Sequence, residues 1–289
     1  MIRKNGMFLL KPKVGHIQFL NCLPLYYGLV KSCALLDIEL IKGTPTELNN
    51  LLLNGKLDIS PISSIEYARH HESLVLFPDF TVSSDGEVKS ILLLSHFPIE
   101  ELSGKKIALS NTSATSQVLL KLVLSHGYKV EPEYITSPPD LDKMLANADA
   151  ALLIGDIALK YYVDRKDFYL YDLGLEWGKM TGKKMVYAVW AVNRTFAEKQ
   201  NELSKYIFEI FKKSMDYSMK HLPEIAEYAA RWEPFSPSFL IDYFKSLRFD
   251  FKKDYQEGLL YFYQLAVEIG ALKRVPELEF INFRSGVST

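Results

Sequence analysis

Four short stretches place small polar residues directly after an apolar run. Asn21 follows the run 14–20. Ser60, Ser63 and Ser64 sit within or just beyond 57–62. A polar corner, 110–116, follows 107–110 and holds Ser113, Thr115 and Ser116, and Gly155-Asp156 follows 150–154. All but Asp156 are neutral at pH 7, and the hydroxyls, the carboxamide and the glycine alone supply neither a base nor a charged ligand for metal. They supply hydrogen bonds. At a helix start, where the first-turn amides have no intrahelical partner, such residues bind carboxylates or phosphates with help from the helix dipole. The same residues also serve as ordinary N-caps, and for each stretch alone both readings stand. The group Ser113, Thr115 and Ser116 is the densest of the four.

The other chemistries find less support. His70 and His71 are adjacent, so on a helix they point apart and do not share a metal. There is no HExxH, GxSxG, P-loop or GxGxxG, and no carboxylate pair stands out by spacing. No metal site and no cofactor are expected. His16, on an early strand, reads either as a base beside a cleft or as a half-buried structural histidine. The 35 acidic and 34 basic residues nearly cancel, which argues against a nucleic-acid partner. The two cysteines form no CxxC motif and read as reduced thiols.

These corners need elements to hold them. In the first two-thirds, apolar strands alternate with helices, which predicts an α/β fold with mostly parallel sheets. Pro24 begins one helix, and Thr44-Pro45-Thr46-Glu47 has capping-box spacing at the start of another. The spacing predicts a helix over 115–126 with Gly127 as its stop, and further strands over 75–80, 88–95 and 186–192. Beyond 192 the chain reads as helices over 196–221, 223–231, 237–246 and 254–269. A total of 289 residues, 48 % of them apolar, suffices for two packed lobes. With no Pro/Gly-rich linker, the lobes must be joined along strands. The expected division is a first lobe of 1–90 and 190–289 and a second of 91–189, hinged near 88–95 and 186–192, with the C-terminal helices on the first lobe. The N-terminal apolar run is four residues long and ends at Lys11, too short for an export signal or a membrane span. The expected compartment is therefore the cytoplasm, with no membrane partner.

In order and spacing, several pieces resemble chorismate dehydratases, the first enzymes of the futalosine route to menaquinone. They are Ile17-Gln18-Phe19-Leu20-Asn21 with Leu23-Pro24-Leu25, and Leu57-Asp58-Ile59-Ser60-Pro61-Ile62-Ser63-Ser64. Asp85-Gly86 follows with Val88 and Ser90, then Ala108-Leu109-Ser110 with the serine corner. The last are the stretch 150–159, Asp172-Leu173-Gly174 with Glu176-Trp177, and Thr181-Gly182 with Tyr187-Ala188-Val189-Trp190-Ala191. The resemblance implies a type-II periplasmic-binding-protein fold and a dicarboxylate substrate, chorismate. It places the catalytic residues at Asn21 and Ser90. Ser63, Ser64, Ser113, Thr115, Ser116, Gly155 and Asp156 are the expected substrate-binding residues. Two departures stand out: Lys183-Lys184-Met185 follows Gly182 where the family usually has Leu-Pro-Phe, and His16 stands where the family often has arginine. A sister enzyme of the same fold that makes 1,4-dihydroxy-6-naphthoate, and a non-catalytic anion-binding protein of a transporter or regulator, remain as alternatives.

Overall fold

The structure is a computed structural model that describes residues 3–4, 7–8, 11–164 and 168–283. The extreme ends of the expected first lobe, and part of the apolar run at 7–10, lie outside these residues. Among the described residues no helix is long and apolar enough to cross a membrane.

The chain opens with a short antiparallel pair, β1 (Arg3–Lys4) and β2 (Met7–Phe8). It then builds β3 (Lys13–Ile17), α1 (Leu23–Lys31), β4 (Glu39–Gly43), α2 (Pro45–Leu53), β5 (Ile59–Ser63), α3 (Ser64–His70) and β6 (Leu74–Ser84). The capping box at α2 forms as its spacing predicts: Glu47 N donates to Thr44 Oγ1, and Thr44 N donates to the Glu47 carboxylate. Next come β7 (Ile91–Ser95), β8 (Lys106–Ser110), α4 (Ala114–Leu122), β9 (Glu133–Ser137), α5 (Leu141–Leu145), β10 (Ala150–Ile154), α6 (Asp156–Val163), β11 (Tyr169–Asp172) and α7 (Leu173–Thr181). The chain returns through β12 (Met185–Asn193). It closes with α8 (Arg194–Lys199), α9 (Asn201–Lys220), α10 (Leu222–Ala229), α11 (Pro237–Ser246), β13 (Leu247–Arg248) and α12 (Lys253–Glu268).

Two sheets result, in the orders β13-β6-β12-β5-β3-β4 and β11-β7-β10-β8-β9. Three adjacent strands in each are parallel, β5-β3-β4 in the first and β10-β8-β9 in the second. The expectation of mostly parallel sheets holds only for these triplets. The remaining pairs are antiparallel, because the strands beside the crossings enter each sheet from the opposite end.

Other details differ from the sequence reading. The stretch 88–90 is a turn, not strand, and β7 starts only at Ile91. The return strand β12 pairs with β5 and β6 along its length, so the expected boundary at 189/190 falls inside a strand of the first sheet. Gly127 does not stop the helix after α4. A wider turn continues through Val123–Tyr128, and Lys129, at φ +57°, ends it. The long helix expected over 196–221 is broken at Gln200 into α8 and α9.

Two buried joints fasten the lobes. At the first, Ser64 Oγ lies 3.2 Å from Thr115 Oγ1 and donates to Val186 O, while Ile65 N donates to Thr115 Oγ1 at 3.1 Å. At the second, the Asp172 carboxylate accepts from Val88 N and Lys89 N in the outward crossing and from Gly174 N and Leu175 N at the start of α7. The C-terminal helix α12 covers β12, α3 and α4. Lys184, one of the residues that depart from the family pattern, pairs with Asp85 on the outward crossing and with Asp254 on α12.

Candidate active site

Ligands of open parallel sheets gather at the carboxyl ends of the strands. Here those ends in the two sheets face one another. A narrow cavity of about 60 Å³ lies between them. It is lined by Cys22, which caps α1, by Pro45 in the first turn of α2, by Ser63, which caps α3, by Ser113, which caps α4, and by Gly155, which caps α6. Five helix starts thus converge on one space. Their helix dipoles make it attractive to anions with no charged side chain in the wall.

Of the residues singled out from the sequence, Asn21, Ser63, Ser90, Ser113, Ser116 and Gly155 all line this cavity. Asn21 belongs to a short 3-10 turn, Leu20–Cys22, and its buried Oδ1 has no hydrogen-bond partner. Ser90 closes a γ-turn: its N–H donates to Val88 O at 2.7 Å across Lys89, whose φ is +62°. Such a turn persists only where its surroundings hold it, and the Asp172 carboxylate grips two of its three amides. Ser90 O also accepts from Gly155 N at 2.8 Å, joining two cavity residues directly. Gly155 has φ +68° and ψ −146°, backbone essentially confined to glycine, and an added Cβ would stand 3.1 Å from the Phe19 ring. At α4, Ser113 Oγ accepts from Ser116 N and lies 2.9 Å from Ser116 Oγ.

Ser64, Thr115 and Asp156 do not line the cavity. Ser64 and Thr115 are fully buried and spend their hydroxyls on the joint between the lobes. Asp156 points to the outer side of Phe19, where its Oδ1 accepts from Leu20 N at 3.0 Å. It shares a separate groove with His16, Tyr228, Trp232 and Glu233. Burial, reinforced by the Glu233 charge, raises its pKa to about 6. His16 is in that outer groove too. Its ring packs edge-on to Tyr26, its Nδ1 is buried without a partner, and burial followed by the Lys42 charge lowers its pKa to about 4. Ser60 is also structural, pressed against Gly15 with its hydroxyl on Pro61 O.

The sequence reading did not single out Phe19, Cys22 or Tyr187, which complete the wall. Tyr187 is the extra residue where the pairing of β12 with β6 shifts register. A bulge of this kind re-aims a side chain. Its hydroxyl lies 2.8 Å from Ser84 Oγ, and burial raises its pKa far above neutrality. The Cys22 thiol is pushed up to about 12, mainly by burial. No lining side chain is therefore charged at pH 7, and none is a competent base there. Among the described residues, no cluster of three or more His, Cys, Asp or Glu side chains is placed to hold a metal ion.

Two α/β lobes with a cleft between them, joined by two crossings of the chain, define a protein of the periplasmic-binding-protein fold. Solved structures agree. A Candida albicans protein described as exhibiting the generic periplasmic binding protein fold superposes with TM-score 0.71 at 13 % identity, covering 97 % of this chain and 100 % of that one. The periplasmic aliphatic sulphonate binding protein of Escherichia coli gives 0.65 at 12 %, covering 96 % and 97 %. A protein of Archaeoglobus fulgidus gives 0.75 at 20 %, covering 91 % and 98 %. Within that fold, the chain belongs to the menaquinone biosynthesis family, whose model matches residues 12–268. It is 30 % identical to the chorismate dehydratase of Thermus thermophilus over 261 residues, 85 % of this chain and 92 % of the relative. It is 26 % identical to the chorismate dehydratase of Campylobacter jejuni, over 71 % of this chain and 83 % of that one.

Proposed function

We propose that this protein is a chorismate dehydratase, a hydro-lyase that eliminates water from chorismate to give 3-[(1-carboxyvinyl)oxy]benzoate. The observation that carries the reading is its similarity to the Thermus thermophilus chorismate dehydratase over nearly the whole of both chains. A wall of helix starts without charged side chains suits a dianion, since it attracts carboxylates yet places no fixed cation beside a carboxylate that must react. The sister enzyme and the non-catalytic binding proteins are not favoured, because both curated relatives described above carry the chorismate dehydratase name.

The reaction breaks the C–O bond of the ring hydroxyl and the C–H bond of the neighbouring carbon that bears the enolpyruvyl ether. One water leaves, and aromatisation drives the step. A base is needed, and the cavity supplies none: His16 lies outside it, and Cys22 and Tyr187 stay protonated. The base in this reading is the enolpyruvyl carboxylate of the substrate itself, which abstracts the adjacent proton. Asn21, which lines the cavity, orients that carboxylate through its carboxamide N–H. Ser90 donates to the departing hydroxyl. Ser113, Ser116 and the first amides of α4 hold the ring carboxylate. The crossings at 85–90 and 182–184 act as the hinge that closes the lobes and excludes water. The test is incubation of the purified protein with chorismate, following the aromatic product by absorbance. Unchanged chorismate would remove this reading.

A further inference from the structure

The turn that carries Asn21 is not capped by its own segment. It spans Leu20–Cys22, and the residue at its N-cap position is Phe19, whose side chain has no oxygen to accept from a first-turn amide. Cys22 N closes the turn on Phe19 O at 3.0 Å. Leu20 N is left over, and the acceptor it finds, Asp156 Oδ1 at 3.0 Å, stands 136 positions away in the chain. That acceptor also lies on the other lobe. Phe19 and Leu20 follow β3 of the first sheet, whereas Asp156 opens α6 directly after β10 of the second. Its neighbour Gly155 makes two further contacts. Gly155 N donates to Ser90 O at 2.8 Å. A Cβ on Gly155 would stand 3.1 Å from three carbons of the Phe19 ring, so the two residues are in close contact. The consecutive residues Gly155 and Asp156 thus hold the backbone at or beside both residues assigned to the chemistry, Ser90 and Asn21. Burial opposes the charge of Asp156. An apolar side chain would suit a groove lined by Phe19, Leu20 and Leu23, but it would leave the Leu20 amide bare.

We infer that Asp156 is a positioning residue for the dehydration: by accepting from Leu20 N across the lobes, it fixes the turn that aims the Asn21 carboxamide at the substrate. When the lobes part, α6 carries the acceptor away and the turn loses its cap. When they close, the turn is set and Asn21 is in place. Closure is thereby tied to the chemistry through a residue that does not touch the substrate. Asp156 neither gives nor takes a proton in the reaction. This role replaces the substrate contact expected of Asp156 from the sequence. The inference rests on the chorismate dehydratase reading and on Asn21 as the residue that orients the reacting carboxylate.

Five proteins test it: wild type, Asp156→Ala, Asp156→Asn, Asn21→Ala and the double variant Asn21→Ala/Asp156→Ala. Each is assayed for kcat and KM on chorismate at neutral pH, at a temperature well below its measured Tm. Loss of a hydrogen bond to a charged group corresponds to a change on the order of tenfold or more. The expected result for Asp156→Ala is a roughly tenfold fall in kcat with KM within about threefold. Asp156→Asn keeps an oxygen for the Leu20 amide and should recover kcat to within about threefold of wild type. Added to Asn21→Ala, Asp156→Ala should lower kcat no further, since the residue it acts through is gone. Full kcat in Asp156→Ala would overturn the role, as would a loss in Asp156→Asn as large as in Asp156→Ala. An equal factor in both backgrounds would overturn it too, because general loosening of the fold does not depend on Asn21. Asp156→Leu, which fits the apolar part of the groove, replaces the alanine variant if that one does not fold. If wild type consumes chorismate and Asp156→Ala matches it, the role alone falls. If wild type leaves chorismate untouched, the dehydratase reading falls and takes the role with it.

Discussion

Two concave spaces meet at Phe19, which contributes to both. On the inner side lies the cavity between the sheets, with serines, an asparagine, a glycine and five helix starts in its wall and no side chain charged at pH 7. On the outer side lies an open groove that collects His16, Asp156 and Glu233 beside an exposed Trp232. The contrast shows where this fold tolerates charge. An ionised side chain in the narrow cavity would have to be desolvated as the lobes close, at high cost, whereas backbone dipoles attract an anion with little reorganisation. In the outer groove water still reaches the titratable groups. In the proposed reading the chemistry and the titrating groups thus lie in two separate spaces that share the Phe19 side chain.

The largest effect expected from this division is at the neutral residues. Asn21→Ala and Ser90→Ala should each lower kcat by on the order of 10²-fold or more, the scale of a lost transition-state hydrogen bond in a dry site. Steady-state kinetics with chorismate measures it, and near-normal turnover in both would place the chemistry outside the inner cavity.

A sharper test uses neighbours on one helix turn. Ser116 lines the cavity, while Thr115 is committed to the joint with Ser64 and Ile65. Ser116→Ala should raise KM roughly tenfold with little change in Tm, as loss of a hydrogen bond to a charged ligand implies. Thr115→Val should leave the Ile65 amide unpaired and lower stability by about 1–3 kcal/mol, read as a fall in Tm. Interchanged phenotypes would mean that the two hydroxyls have exchanged roles.

The outer groove should report itself through pH. Burial raises the Asp156 pKa from the usual 3.8 to about 6, so the folded state favours the protonated form. That contribution is fully present below 3.8 and is lost as pH rises through about 6. Asp156→Asn keeps a carbonyl oxygen for the Leu20 amide but does not titrate. The Tm of wild type relative to this variant should fall between pH 4 and pH 7 by an amount on the order of 2–3 kcal/mol in stability. A constant difference across that range would show that Asp156 is not buried as described.

The smallest effect belongs to His16. Already neutral at pH 7 and outside the cavity, it should be replaceable by alanine with less than about threefold loss of kcat, far below the 10²–10⁴ of a general base. The wild-type kcat should likewise be level between about pH 7 and 9, because no lining group titrates there. A His16→Ala variant without activity would merge the two spaces into one site.

The sequence by itself determined the alternation of strand and helix, the capped starts of α2 and α4, and four polar corners, because each rests on local rules of periodicity, proline placement and N-cap chemistry. It also carried the family pattern that points to Asn21 and Ser90. What it left open was which way each residue faces. Consecutive residues on a helix are turned by roughly 100° from one another, so of Ser113, Thr115 and Ser116 only packing selects the two that line the cavity and the one that fastens the lobes. A one-residue register shift in the β12–β6 pairing turned Tyr187 toward the cavity. A crossing gripped by a distant carboxylate, Asp172, set the turn that presents Ser90. These placements depend on contacts between residues far apart in the chain, and periodicity within one segment carries no information about what another segment brings against it.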